Sequence, residues 1–246
     1  MHATESSENV AVVVVVVVPA SASVAAATMS DPEVVLDEAN QLPPLESTAT
    51  ELERMLECIE KEILPITRAN VAKGHKWFGA AVLNGQTLET FLAESNTELD
   101  CPLFHGEVHT IYEWSKKVPS SERGPAAKAS VFLSTHEPCC MCVSSIVWAG
   151  FRKIYYLFPY SLTSAQGIPH DINIMHELWG VRSYRKQSKF CSTACILDLV
   201  EALDDTEEKK ESLRVKCNEL IDVYDKIAKG YHAAKTEDIH NTLAFG

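Results

Sequence analysis

The sequence has no excess of basic residues, no long apolar run and few cysteines, and each lack removes a class of protein. Lys and Arg number 22 against 34 Asp and Glu in 246 residues, a formal charge of −12. Gripping nucleic acid requires a Lys/Arg surplus to neutralise phosphates, so the balance disfavours a protein whose main partner is a polynucleotide. No stretch approaches the roughly 20 apolar residues that a bilayer-spanning helix needs, so no membrane partner is expected. Eight cysteines are too few for a disulfide scaffold of this length, and Cys139, Cys140 and Cys142 crowd too closely for all three to form bridges. Metal ligation or redox chemistry in a reducing compartment, the cytoplasm or the nucleus, is the better reading. At 46% hydrophobic residues the chain is able to bury a core without staples.

The acidity is unevenly spread. Residues 1–57 hold ten acids and one Arg, and residues 204–246 hold ten acids and seven Lys/Arg, which leaves the stretch 58–203 with fourteen of each. Val10 to Val18, broken only by Ala11, is followed by Pro19 and an Ala/Ser-rich tract. Its length suits a signal-peptide core, but Glu5 and Glu8 stand before it with no Lys or Arg, so the positive leader is missing. A low-complexity disordered tail is expected there, followed by an acidic linker from Asp31 to Glu46 containing the Pro43-Pro44 breaker. No internal repeat is apparent. Three regions are expected: a tail over 1–46, a folded domain over 47–203, and a charged C-terminal helix and tail over 204–246.

Periodicity begins near Ser47. Leu52, Met55, Leu56, Ile59, Ile63 and Leu64 recur at three and four, which predicts a helix to about Ala72, capped by Ser47 or Thr48. Trp77 to Leu83 reads as a strand, Asn84-Gly85 as a hairpin turn, and Thr87 to Ala93 as the return strand. A helix is expected over Glu107–Lys117, a buried strand over Ser130–Ser134, an apolar helix over Cys139–Ala149 closed by Gly150, and a strand over Lys153–Phe158. Asp171 to Trp179 suggests a short helix stopped by Gly180, and Asp204 to Lys229 a long one, with fraying after Gly230. This alternation predicts an α/β fold, a three-layer α/β/α sandwich around one mixed sheet.

The chemistry concentrates where two of those helices begin. His105-Gly106-Glu107 opens one and Pro138-Cys139-Cys140-Met141-Cys142 opens the other. Two thiolates and an imidazole match the ligand set of a catalytic Zn2+ site, which keeps its fourth position open for water. Cys139 and Cys142 stand three apart at a helix start, where the dipole and free N–H groups favour thiolates. Glu107, two residues after the His, is placed to shuttle a proton to and from water that zinc has acidified. Cys140 points elsewhere on the helix and is expected to be a neighbour, His109 to be a supporting or exposed residue, and Cys191 and Cys195 to be free thiols.

Both motifs, in this order, resemble the zinc-dependent cytidine deaminase-like superfamily, whose signature is H-x-E followed by P-C-x-x-C. The resemblance covers about Leu52 to Val200, and the His-Gly-Glu form is similar to fungal cytosine deaminase. It implies zinc held by His105, Cys139 and Cys142, with Glu107 as the catalytic residue. It also implies substrate contacts from Asn96, through its amide, from Phe78 in the base pocket, and from the Gly106 backbone. The implied activity is hydrolytic deamination of a free nucleobase, nucleoside or nucleotide by a homo-oligomer. Two alternatives stand beside it. One is deamination of tRNA or another nucleic acid, for which Arg182, Arg185, Lys186 and Lys189, interleaved with Tyr184 and Phe190, offer charge and stacking. The other is a non-catalytic zinc-stabilised partner subunit, against which Glu107 argues. Two departures from the pattern are visible: Glu137 precedes Pro138, unlike the fungal form, and the segment after Phe158 has no clear counterpart.

Overall fold

A computed structural model describes residues 40–237 and residue 243. The poly-Val tract, most of the acidic linker and the extreme C-terminus lie outside the described residues. Within them the chain runs through α1 (Ala49–Cys58), a π-helical turn (Ile59–Ile63), α2 (Leu64–Val71), β1 (Gly79–Asn84), β2 (Thr90–Ser95), α3 (Gly106–Lys117), α4 (Arg123–Lys128) and β3 (Ser130–His136). It continues through α5 (Cys140–Ala149), β4 (Lys153–Phe158), α6 (Tyr160–Ala165), α7 (His170–Trp179), β5 (Ser192–Cys195), α8 (Ile196–Ala202) and α9 (Glu207–Glu237).

Thr48 and Glu51 close α1 with a capping box: the Thr48 hydroxyl accepts from the Glu51 N–H at 3.3 Å, and the Glu51 carboxylate accepts from the Thr48 N–H at 2.7 Å. The single helix expected over Ser47–Ala72 is interrupted by the π turn, where the Leu64 N–H reaches back to the Ile59 carbonyl. Pro65 follows immediately, with no N–H to donate and a ring that would strike the preceding turn, so one extra residue in that turn lets the helix continue.

The five strands form one mixed sheet in the order β2-β1-β3-β4-β5. β1 runs antiparallel to β2 and β3, while β3, β4 and β5 are parallel. Side-chain alternation along the strands builds two cores. Ala81, Leu83, Leu133, Tyr155 and Leu157 face α1, α8 and α9, whereas Ala80, Val82, Phe132 and Ile154 face α3, α4 and α5. The three-layer α/β/α sandwich with one mixed sheet is therefore the observed architecture.

Local expectations were corrected at four places. Asn84-Gly85 does not make a two-residue hairpin, because five residues separate β1 from β2. The Asn84 side chain accepts from the Gln86 and Thr87 N–H groups, and the Gly85 N–H donates to the Ala129 carbonyl at 3.0 Å. A Cβ on Gly85 would lie 2.2 Å from that oxygen, so this glycine serves close approach to the neighbouring chain. The described end of the linker is docked: the Leu42 N–H donates to the Ser188 carbonyl and the Ser192 hydroxyl to the Pro43 carbonyl. α4, α6, β5 and α8 are short elements without a readable period. α9 does not fray after Gly230 but runs on to Glu237, with Leu213, Cys217, Leu220, Tyr224, Ala228 and Tyr231 of its inner face in the core. Helix ends persist where tertiary packing holds them.

Candidate active site

β2, β3, β4 and β5 all point the same way, and the site lies beyond the carboxyl ends of β2 and β3. The loop after β2 delivers His105 to the start of α3, and the loop after β3 delivers Cys139 to the start of α5. The ligand atoms of His105, Cys139 and Cys142 all lie within 4.8 Å of one another. His105 Nδ1 is 3.7 Å from Cys139 Sγ and 3.6 Å from Cys142 Sγ. Burial, together with the neighbouring Glu107 carboxyl and against a bond from Cys139, pushes the Cys142 thiol up to about 12. A hydrogen bond from Cys140 lowers the Cys139 thiol, but its bond with Cys142 and burial hold it well above the ordinary range. Two buried thiols crowded on one imidazole at a helix start form a donor set that a tetrahedral zinc fits with three protein ligands. Cys140 stands outside this group, as expected.

Glu107 is almost fully buried beside the trio. The Ser134 hydroxyl donates to Oε1 at 3.1 Å, and the Cys142 thiol lies 3.4 Å from Oε2. Burial raises its carboxyl above the usual value, against the pull of His105. This carboxyl is therefore held in place and able to keep a proton.

Gly106 has a packing reason. A Cβ there would sit 2.8 Å from Gly79 Cα and 2.8 Å from the Phe78 carbonyl oxygen. The helix carrying the motif presses directly on the start of β1, and only glycine allows that distance. Thr135 locks the same junction, accepting from the Gly79 N–H at 3.0 Å and donating to the Gly79 carbonyl at 3.1 Å.

A cavity opens at the trio, walled by Phe78, His105, Glu107, His136 and Cys139 on the sheet side. Ile168, His170, Asp171 and Ile174, at the start of α7 and just before it, form the opposite wall. Phe78 lines this cavity, with His136 edge-on to its ring at 4.7 Å. Asn96 is not among the walls. Its amide oxygen accepts from the Lys76 and Glu98 N–H groups at 3.3 and 3.1 Å, and its amide nitrogen donates to the Glu98 carboxylate. The side chain that was expected to read a base is engaged inside the protein.

Several wall residues escaped sequence reasoning. His136, buried against Phe158 and Tyr224, has its pKa lowered to about 3 by burial, against a raising bond from Gln166. Asp171 is pushed up to about 7 by burial and by the facing Glu107. Glu137, before Pro138, accepts from the Tyr160 N–H at 3.1 Å and from Lys186, whose ammonium also lies over the Tyr156 and Tyr184 rings. One member of the basic stretch therefore ties the metal loop to the loop after α7, while Arg182, Arg185 and Lys189 remain exposed. The one sequence signal for the far wall was His170-Asp171 opening a helix directly after Pro169. His109, also outside the trio, is tied to the Ser95 carbonyl at 2.9 Å.

Residues 52–158 match the family model described as the cytidine and deoxycytidylate deaminase zinc-binding region. Among solved structures, the guanine deaminase of Nitrosomonas europaea is 16% identical, with 72% of this chain and 87% of that chain covered and a TM-score of 0.43. The guanine deaminase of Bacillus subtilis is 20% identical, with 54% and 83% covered and a TM-score of 0.41. A structure from work on A-to-I editing by tRNA:A34 deaminases at the wobble position is 20% identical, with 41% and 70% covered and a TM-score of 0.33. No curated protein matches the sequence.

Proposed function

From the membership of residues 52–158 in the zinc-dependent cytidine deaminase-like superfamily, we propose that this protein is a hydrolytic deaminase of a free nucleobase, nucleoside or nucleotide. The observation that carries this reading is Glu107, a buried carboxyl oriented by Ser134 and set against the metal-ligating trio. His105, Cys139 and Cys142 would hold the zinc, which when bound supplies a Lewis acid that makes water a nucleophile at neutral pH. Glu107 carries one proton of that water to the ring nitrogen and then the second, from the hydroxyl added to the ring carbon, to the departing amine. A C–NH2 bond and a water are exchanged for a C=O bond and ammonia. A scaffold without catalysis has no use for a buried, oriented proton shuttle.

The walls fit a small heterocycle. Phe78 and His136 offer aromatic surface on one side, and Ile168 and Ile174 offer apolar surface on the other. The cavity's one ammonium, Lys76, is paired with Glu98 at 2.9 Å, so a nucleotide phosphate finds no ready partner among the described walls. Asp171 accepts an N–H of the base edge in this reading. Gly106 contributes its backbone, and Asn96 acts from behind the wall through Glu98. A homo-oligomer is supported by α5, an apolar helix whose Trp148 is 91% exposed.

A polynucleotide substrate is the second reading. It is favoured by Arg182, Arg185, Lys189 and Phe190 on the exposed loop after α7, with no acid between Glu177 and Asp198. Measuring ammonia release from cytosine, cytidine, dCMP, adenine, guanine and tRNA with the zinc-loaded chain separates the two. Turnover of a free base or nucleoside is expected. Turnover of tRNA alone, with tight low-salt RNA binding, would replace the first reading with the second.

A further inference from the structure

Glu98 lies in the loop between β2 and α3, seven residues before His105, and belongs to none of the signature residues. It is buried, and its carboxylate gathers three partners. Lys76 Nζ donates to Oε1 at 2.9 Å, and the Asn96 amide donates to Oε2. The third is His105: Nε2 of that imidazole is 3.6 Å from Glu98 Oε1, while its Nδ1 faces the two sulfurs.

A buried ion pair is poor evidence of stabilisation, because taking both charges out of water offsets most of their attraction. The Lys76–Glu98 pair, with side chains 5% and 7% exposed, therefore asks for another reason to exist. The imidazole supplies one. A neutral histidine has one proton on its ring, and a metal on Nδ1 leaves that proton on Nε2. The acceptor facing Nε2 is Glu98, which is the arrangement that fixes a ligand's tautomer and ring plane and raises its basicity. The loop is built to keep the carboxylate there. The Asn96 amide oxygen accepts from the Glu98 backbone N–H at 3.1 Å, while its nitrogen holds the carboxylate of the same residue. The Lys76 N–H and the Asn96 side chain join this loop to the start of β1 at 3.3 Å.

We infer that Glu98 is a positioning residue for the metal centre, accepting the Nε2 proton of His105, with Lys76 and Asn96 as its clamp. The inference rests on zinc at the trio, the same premise as the deaminase reading, and reassigns Asn96 from the base to the support of a ligand. The predicted consequence concerns metal affinity first and turnover second.

The test is zinc affinity of the full chain, measured by competition with a chromophoric chelator, for wild type, Glu98→Gln and the neutralised pair Lys76→Met/Glu98→Leu. Both variants are expected to hold zinc about 10- to 100-fold more weakly, while the melting temperature of the zinc-free chain tracks any general damage separately. Wild-type zinc affinity in both variants would overturn the inference. Should either variant fail to fold, 15N spectra of zinc-loaded wild type decide: a proton on Nε2 of His105 protected from exchange supports it, and zinc on Nε2 with the proton on Nδ1 overturns it. Zinc held in this way by a chain that releases no ammonia from any base would end the deaminase reading and leave this one standing.

Discussion

Up to Phe158 the chemistry sits where the chain displays it, in two helix starts whose ligands are three residues apart or two residues from the shuttle. Beyond Phe158 the residues that meet the cavity are scattered: Ile168 lines the site from the loop before α7, and Asp171 and Ile174 from α7, whose outer end exposes Leu178 and Trp179. In the proposed reading, the first region supplies the chemistry of C–N hydrolysis and the second selects what enters. Metal chemistry demands fixed ligand types at fixed spacing, whereas a pocket wall accepts any side chain of suitable shape and polarity. The substrate therefore resides in the part of the chain that carries the weaker pattern.

The sharpest way to break this division lies in α9, which is remote from the ligands yet packed behind them. Tyr224 is fully buried, its ring 5.0 Å from Phe158 and 5.7 Å from His136. Tyr224→Ala is expected to cost about 3–5 kcal/mol of stability, read by urea unfolding of the zinc-loaded chain. A cost below about 1 kcal/mol would make α9 an appendage. Next comes pH. His136 has its pKa lowered from 6.5 to about 3 by burial, so the unfolded chain binds the extra proton first. Its contribution is fully present above about pH 6.5 and is lost as pH falls toward about 3, the loss reaching about 2 kcal/mol by pH 5. Unfolding curves at pH 7 and pH 5 for wild type and His136→Gln measure it, and the variant is expected to show the flatter dependence. The smallest effect belongs to the far wall: Asp171→Asn is expected to raise KM about tenfold, the loss of one hydrogen bond to the base edge, with zinc content unchanged. If kcat falls and KM does not move, Asp171 serves the reaction and the division between the regions fails.

The layers of the fold were readable because alternating strands and apolar helices impose periods that survive in the sequence. The zinc trio and Glu107 were readable because their chemistry permits few residue types. Pro65 carried the break in the first helix in plain view, but a π turn that spares the helix looks the same in sequence as a stop. Asn84-Gly85 misled because its glycine answers to Ala129, which is remote in the chain. Asn96 is a different case: an amide able to bind a base edge is equally able to hold Glu98, and the contacts the structure adds are those with Lys76 and Glu98. Lys186 counted in sequence among four cations of the nucleic-acid alternative, and the structure pairs it with Glu137.

The central claim, that a zinc trio with a buried carboxyl shuttle makes this chain a deaminase, is tested most directly by Glu107→Gln assayed for zinc content and ammonia release together on the best substrate of the panel. The account predicts full zinc occupancy with release slowed by about 10²- to 10⁴-fold. Full zinc occupancy with release unchanged would contradict it.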